Sequence, residues 1–119
     1  MKYTVEILPR LVQINVTGTV RRPQDSLKLQ EISDALFDQH DITRHLFDFL
    51  DAEILSDDSS SYDAGAAPAI RGFEHEGRRV ALLYREITAQ DRMMERVLNE
   101  YGYQVKVFDD SDDALEWLK

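Results

Sequence analysis

Residues 79–119 read RVALLYREITAQDRMMERVLNEYGYQVKVFDDSDDALEWLK, and this stretch decides the fold. It contains an apolar strand, an amphipathic helix ended by a glycine, a second strand, and a closing helix that Asp110 or Ser111 can cap. Two strands joined by a helix are normally parallel, because a parallel pair needs a connection of a dozen or more residues. The stretch therefore predicts an α/β domain whose sheet is covered by helices.

Individual residues mark the boundaries within this stretch. Residues 80–84 (VALLY) show no polar alternation, as expected of a parallel strand covered on both faces. Thr88 followed by Asp91 is a helix-start pattern, because the threonine hydroxyl can accept a hydrogen bond from the third amide of the helix. Gly102 suits the left-handed position that follows a helix.

The first fifty residues add a hairpin, a helix and a third strand. Residues 3–7 and 11–17 each alternate between apolar and polar side chains, which predicts two antiparallel strands that end at Gly18. A helix is predicted over residues 23–39, with a proline in its first turn and apolar residues at helical spacing. The run LFDFL at residues 46–50 is interpreted as a central strand with its aspartate near the carboxyl end.

Residues 56–77 are the least regular part of the chain. Glycine and proline weaken the short helix that we prefer there. An alternative pairs residues 70–75 with the strand at residue 79 as a hairpin. The fold expected from the whole sequence is a mixed sheet of about five strands, its first pair antiparallel and the remainder mainly parallel, with about four flanking helices.

Composition excludes several kinds of function. The chain has 119 residues, enough for one domain with its own core, and it has no cysteine for disulfides or thiolate chemistry. A net charge of −9 argues against nucleic acid as a partner, because binding it requires clustered basic residues. No segment resembles a signal peptide or a membrane span, so we expect a cytoplasmic protein. No motif indicates a cofactor.

The acidic residues are unevenly distributed. No lysine or arginine lies between His45 and Ile70. The acidic residues of that interval are Asp48, Asp51, Glu53, Asp57, Asp58 and Asp63. We interpret them as a solvated rim that maintains solubility; the alternative is a surface that attracts a basic partner.

Four segments carry a resemblance to a known family. They are LFDFL (46–50), RVALL (79–83), YQVKVF (103–108) and ALEWL (114–118). With the predicted order of elements, they resemble the STAS-like domain superfamily, and in particular small stand-alone bacterial relatives of the sporulation anti-sigma-factor antagonist. The resemblance implies that residues 1–119 form a single STAS-like domain.

Signalling members of that family carry a phosphorylatable serine in an Asp-Ser-Ser/Thr-Gly-Leu motif at the start of the second helix. The corresponding residues here are Asp58, Ser59 and Ser60, which the resemblance identifies as a phosphoacceptor or an anion-binding helix start, with Ser60 at the acceptor position. Ser61 and Tyr62 replace the family's glycine and leucine. The other interpretation is a polar loop that caps a helix, which these residue types favour in any protein.

Two further carboxylates lie where α/β proteins bind ligands, outside the carboxyl ends of strands. Asp48 and Asp51 can form the rim of one cleft together with Asp58, or they can accept hydrogen bonds from loop amides, which we favour. No metal site is expected, because no histidine has the spacing of a metal-binding motif. The histidines are His40, His45 and His75.

The leading hypothesis is a non-enzymatic binding or regulatory module that docks a protein partner after the third strand, near the start of the second helix. The alternative is a carrier or sensor of a small apolar, lipid-like ligand held between the sheet and the helices. A hydrolase is poorly supported, because no base and orienting group accompany any serine in the sequence. The edge strand of the first hairpin makes a homodimer plausible.

Overall fold

A computed structural model describes residues 1–22, 24–56, 77–100 and 104–119, which form a five-stranded sheet with three helices. The sheet has the strand order β1-β2-β3-β4-β5; β1 and β2 are antiparallel and all other neighbours are parallel. This confirms the predicted fold class. The elements, in chain order, are β1 (Lys2–Leu8), β2 (Leu11–Arg22), α1 (Gln24–His40), β3 (Arg44–Ser56), β4 (Arg79–Leu83), α2 (Ala89–Glu100), β5 (Gln104–Phe108) and α3 (Ser111–Trp117).

Several predictions fall on residues that the structure does not describe. The fourth helix and the alternative hairpin were both placed largely within residues 57–76, and the helix-ending Gly102 lies within 101–103. None of the three described helices is long and apolar enough to cross a membrane.

Strand β4 lies in the interior of the sheet, as its unbroken apolar sequence predicted. It pairs in parallel with β3 on one side and β5 on the other. Val80, Ala81 and Leu83 are each at most 1% exposed. Val80 packs into a core cluster with residues of α1 and α2, whereas Ala81 and Leu83 pack with residues of α3. The two clusters lie on opposite faces, because successive side chains of a strand alternate.

The predicted helix starts are confirmed at α2 and α3. Thr88 and Asp91 bond reciprocally: the Asp91 amide donates to Thr88 Oγ1 (3.2 Å), and the Thr88 amide donates to Asp91 Oδ2 (2.8 Å). Of the two candidates at α3, Asp110 is the cap, since it accepts from the amides of Asp112 and Asp113.

Strand β2 is longer than predicted. Its pairing with β1 stops at Thr17, next to the expected break at Gly18, which has a φ of +80°. The strand itself continues to Arg22, because β3 provides hydrogen-bonding partners as far as Ser56. Glycine adopts a positive φ without steric cost, and the strand therefore passes through Gly18 without ending.

Strand β3 also extends well beyond residues 46–50, and it contains a bulge. Asn15 pairs with Asp48 and Thr17 pairs with Asp51, so the two residues Phe49 and Leu50 lie opposite Val16 alone. Asp48 is consequently in the middle of β3, not near its carboxyl end as predicted. It is level with Leu83, the last residue of β4.

The bulge changes which residues face the helices. Phe47, before the bulge, and Phe49, its first residue, belong to the core cluster that includes residues of α1 and α2. After it, Ala52 and Ile54 pack against the same cluster. The inward-facing positions therefore switch from odd to even numbers, because one extra residue reverses a period of two.

Candidate functional site

A cavity of about 320 Å³ lies at the carboxyl ends of β2, β3 and β4, next to the start of α2. In open α/β sheets, ligands bind outside the carboxyl ends of the strands, so this is where a site is expected. Its lining consists of Arg22, Ile54, Leu55, Tyr84, Glu86, Thr88, Gln90 and Asp91.

A buried ion pair joins two of the lining residues. Nη2 of Arg22, the last residue of β2, donates to Oδ1 of Asp91 in the first turn of α2 at 2.6 Å. Both side chains are only 4% exposed. Asp91 also accepts from the amide and the hydroxyl of Thr88 through its other oxygen. The pair therefore ties the end of β2 to the start of α2.

Tyr84 fixes the guanidinium of Arg22 from a second direction. Its hydroxyl accepts a hydrogen bond from Arg22 Nη2 at 2.9 Å, and its ring centre lies 5.3 Å from the guanidinium carbon. The same ring stacks on Phe49, with 5.1 Å between centroids and 9° between planes. Arg22 is thus held by charge, by hydrogen bonding and by an aromatic face.

This lining combines groups that can hold the polar and the apolar parts of a ligand. Asp91 neutralises the charge of Arg22, and the Thr88 hydroxyl is engaged with Asp91. Gln90 and Glu86 add polar atoms, while Ile54 and Leu55 add apolar surface. A small molecule with both polar and apolar parts fits this lining better than a purely apolar one. Within the described ranges, no group of three or more histidine or acidic side chains is arranged to hold a metal ion.

A second polar cluster lies in the interior, between α1 and the first residues of β3. His45 Nε2 donates to the Ile42 carbonyl (2.8 Å), so Nδ1 is the acceptor for the Ser33 hydroxyl (2.8 Å). Arg78 donates to Ser33 Oγ (2.6 Å) and to Asp34 Oδ1 (2.8 Å).

Burial determines the protonation of this cluster. Ser33 and His45 have no exposed surface. Desolvation, and then the nearby charge of Arg78, lower the pKa of His45 from 6.5 to about 4, although its bond to the Ile42 carbonyl acts in the opposite direction. His45 is therefore neutral at pH 7. Since it is shielded from solvent and its acceptor nitrogen is occupied, the Ser33–His45 pair is a structural link between α1 and β3.

The structure gives different surroundings to the two carboxylates that were predicted to rim a cleft. Asp48 is half-buried and accepts from the Leu50 amide at 2.9 Å, across the bulge. The Asp51 side chain is 83% exposed, with Arg85 Nη2 4.0 Å away. Neither residue lines the cavity described above. A shared cleft with Asp58 stays a prediction, because Asp58, Ser59 and Ser60 lie outside the described residues.

Replacing Asp48 with alanine is expected to lower the free energy of unfolding by about 1 kcal/mol, because the bulge amide of Leu50 then loses its acceptor. Urea unfolding followed by circular dichroism measures this change. Asp48→Asn is the matched control, since its amide oxygen can still accept, and it should cost less. Equal losses in both variants would mean that the charge matters and the hydrogen bond does not.

The contacts that build the Arg22–Asp91 pair and the His45 cluster were not predicted from the sequence. Arg22 and Asp91 are 69 positions apart, and nothing in the pattern around either residue names the other. One signal was available from sequence, a histidine immediately before the apolar run LFDFL; that Arg22 ends a strand became apparent only in the structure. A charged residue at an inward-facing position requires a partner, even when the sequence does not say which one.

The similarity to known proteins lies in the fold. The chain matches no known family profile and no curated protein in sequence. It superposes on the anti-sigma factor antagonist SpoIIAA in its unphosphorylated form with a TM-score of 0.57 and 16% identity, covering 97% of this chain and 96% of that one. The phosphorylated form of the Bacillus cell fate determinant SpoIIAA gives 0.57 and 14%, covering 99% and 100%.

A third solved structure is similar to the same degree. It is an uncharacterized protein of the DUF3478 family from Shewanella loihica PV-4, which has a SpoIIAA-like fold. The TM-score is 0.58 at 18% identity, over 99% of this chain and 93% of that one. The fold of this chain is therefore SpoIIAA-like, as the resemblance to STAS-like domains predicted.

Proposed function

We propose that this chain is a non-enzymatic regulatory module of the bacterial cytoplasm that docks a protein partner where β3 ends. The observation that carries the proposal is the similarity of nearly the whole chain to SpoIIAA, an anti-sigma factor antagonist that exists in phosphorylated and unphosphorylated forms. The mixed polar and apolar lining of the cavity also supports a binding role.

The described part of the proposed docking surface is one side of the β2–β3 ribbon beyond the bulge. We call it the ribbon face; its residues are Thr17, Thr19, Arg21, Asp51, Glu53 and Leu55, which pair across the two strands. Asp51 and Glu53 are exposed, and Leu55 is 46% exposed. An exposed leucine beside two carboxylates suits a partner that combines basic residues with an apolar contact.

The ribbon face leads directly into the serine cluster. Asp58, Ser59 and Ser60 follow the last residue of β3 by two to four positions. Phosphate on Ser59 or Ser60 adds negative charge close in sequence to Asp51 and Glu53. We therefore infer that such a modification changes the affinity for the partner, in the direction set by the partner's own charge.

Affinity purification from native cells tests this proposal, with the full chain as bait. The variant Glu53→Lys/Leu55→Ser alters the ribbon face and should reduce capture of the partner at least about tenfold, equivalent to about 1.4 kcal/mol. The matched control is Glu100→Lys/Leu115→Ser, which changes the same residue types at exposed positions of α2 and α3 and should bind as the unaltered chain does.

Two outcomes would contradict the proposal. Equal capture by both variants would remove the ribbon face as the docking surface. No specific partner, together with no phosphate on Ser59 or Ser60 by mass spectrometry, would remove the regulatory role. Circular dichroism of each variant establishes that the fold is retained.

The cavity favours a second candidate, a carrier or sensor of a small ligand bound between the sheet and the helices. Its volume of about 320 Å³ is at the lower end of the range for small-molecule sites. Native mass spectrometry of the purified chain should then show an additional bound mass. Gln90→Trp, which places a large ring in the cavity wall, should remove it; a ligand-free spectrum for the unaltered chain purified from its native cells would exclude this candidate.

A further inference from the structure

The two edge strands of the sheet, β1 and β5, differ in whether side chains bond to their outward-pointing backbone groups. At β5, side chains of α2 occupy two of the outward backbone groups: the Val107 amide donates to Glu95 Oε2 (2.7 Å), and Asn99 Nδ2 donates to the Val105 carbonyl (2.8 Å). A strand that added to this edge would have to displace both bonds. The β5 edge is therefore protected by α2.

The β1 edge is open in the part of the chain that the structure describes. No described strand pairs with its outer side, and no described side chain bonds to its backbone. Its seven residues pair with β2 without a bulge and contain neither glycine nor proline. Tyr3, Ile7 and Leu8 are each 41–42% exposed. Such a strand is a template for pairing with another chain.

The hairpin determines which backbone groups point outward. Leu8 and Leu11 close a two-residue turn, and a closing pair of this kind exchanges both of its hydrogen bonds. Because hydrogen-bonded and non-hydrogen-bonded pairs alternate, the even-numbered residues of β1 bond to β2. The amides and carbonyls of Tyr3, Val5 and Ile7 therefore point to the open edge.

The charges of β1 are complementary to those of a second, antiparallel copy. Lys2 and Glu6 are equally spaced on either side of Thr4. A twofold axis at Thr4 places Lys2 of each copy opposite Glu6 of the other, and it joins Tyr3 to Val5 through outward-pointing groups. An axis at Val5 also satisfies the backbone, but it places Lys2 opposite Leu8 and Glu6 opposite Thr4, so no charges match.

We propose that β1 pairs with β1 of a second copy about a twofold axis at Thr4, which joins the two five-stranded sheets into one sheet of ten strands. The backbone hydrogen bonds supply affinity, and the two Lys2–Glu6 pairs select the register. The exposed sides of Tyr3 and Val5 lie against their counterparts across the new strand pair. The ribbon face and the cavity are formed by other strands and stay accessible to a partner or ligand.

A single-cysteine variant tests the register directly, because the chain has no cysteine of its own. Thr4→Cys places two thiols opposite each other in a non-hydrogen-bonded pair, where the Cα atoms are about 4.5 Å apart and a disulfide can form. Mild oxidation of the full chain should give a covalent dimer. Thr17→Cys, an exposed position on the interior strand β2, is the matched control and should form no covalent dimer. Equal cross-linking of the two variants would overturn the proposal.

Charge exchange provides the second measurement. Lys2→Glu alone should weaken dimerisation in sedimentation or light-scattering experiments by about tenfold, because the glutamate at position 2 of each copy then lies opposite Glu6 of the other copy. The double variant Lys2→Glu/Glu6→Lys should restore the dimer. A monomeric unaltered chain, or a double variant no better than the single one, would contradict the pairing. Neither result bears on capture through the ribbon face.

Discussion

Replacing Arg22 with methionine is expected to lower the free energy of unfolding by about 3–5 kcal/mol. The substitution removes one member of an ion pair whose two side chains are only 4% exposed, and it leaves the Asp91 carboxylate buried beside an apolar group. The hydrogen bond to Tyr84 and the contact with its ring are lost as well. Urea unfolding, followed through the fluorescence of the single tryptophan, Trp117, measures the change.

The double variant Arg22→Met/Asp91→Asn distinguishes an uncompensated charge from lost packing. Asparagine is neutral, yet its side-chain oxygen can still accept from the Thr88 amide and preserve the start of α2. We expect the double variant to recover at least half of the stability that Arg22→Met loses. If it is as unstable as the single variant, the buried charge is not the cause, and the packing of Arg22 against Tyr84 is.

Acid is expected to destabilise the protein by about 3 kcal/mol through His45 alone. The folded state holds the pKa of this imidazole at about 4, against 6.5 for an ordinary histidine. Between these values the unfolded chain binds a proton that the folded chain does not, so the free energy of unfolding falls as the pH falls. The loss begins near pH 6.5 and is complete below about pH 4.

His45→Gln is the control that isolates this contribution. A glutamine amide can donate to the Ile42 carbonyl and accept from Ser33, as the neutral imidazole does, but it does not titrate. The slope of unfolding free energy against pH should therefore be shallower in the variant between pH 6.5 and 4. Identical slopes would show that His45 takes up no proton on unfolding in that range.

The sequence predicted best those parts of the fold that depend on neighbouring residues. The apolar β4, the Thr88 hydroxyl that accepts from the Asp91 amide, and a cap at Asp110 or Ser111 are all local features, and the structure has each of them, with Asp110 as the cap. The parallel direction of the later strands could be predicted from these elements, because two strands joined by a helix are normally parallel.

The extent of β3 was not predictable in the same way. An alternating pattern identifies a strand only while the buried side chains fall at every second position, and the bulge after Asp48 breaks that spacing. The apolar run therefore appeared to end at residue 50, although the strand continues to Ser56. A bulge depends on how a strand pairs with its neighbour, and the pattern of one segment carries no information about that pairing.

The candidate site was more difficult to predict from sequence, because its polar groups are far apart along the chain and come into contact only in the folded protein. Asp91 was identified from sequence as a helix start, and the structure gives it a second role as the partner of Arg22. Asp48 was assigned to the end of a strand, and it accepts a hydrogen bond at the bulge instead. Local hydrogen bonds can be deduced from spacing; an ion pair across 69 residues cannot.

The two-against-one pairing opposite Val16 makes the place at which this chain loses a residue as important as the loss itself. Deleting either Phe49 or Leu50 would leave one residue opposite Val16 and would keep Asp51 opposite Thr17. Asp51, Glu53 and Leu55 would therefore stay on the ribbon face, and Ala52 and Ile54 would stay against the core. A codon lost at Ala52 would instead move every later side chain of β3 to the opposite face of the sheet, because it reverses their alternation.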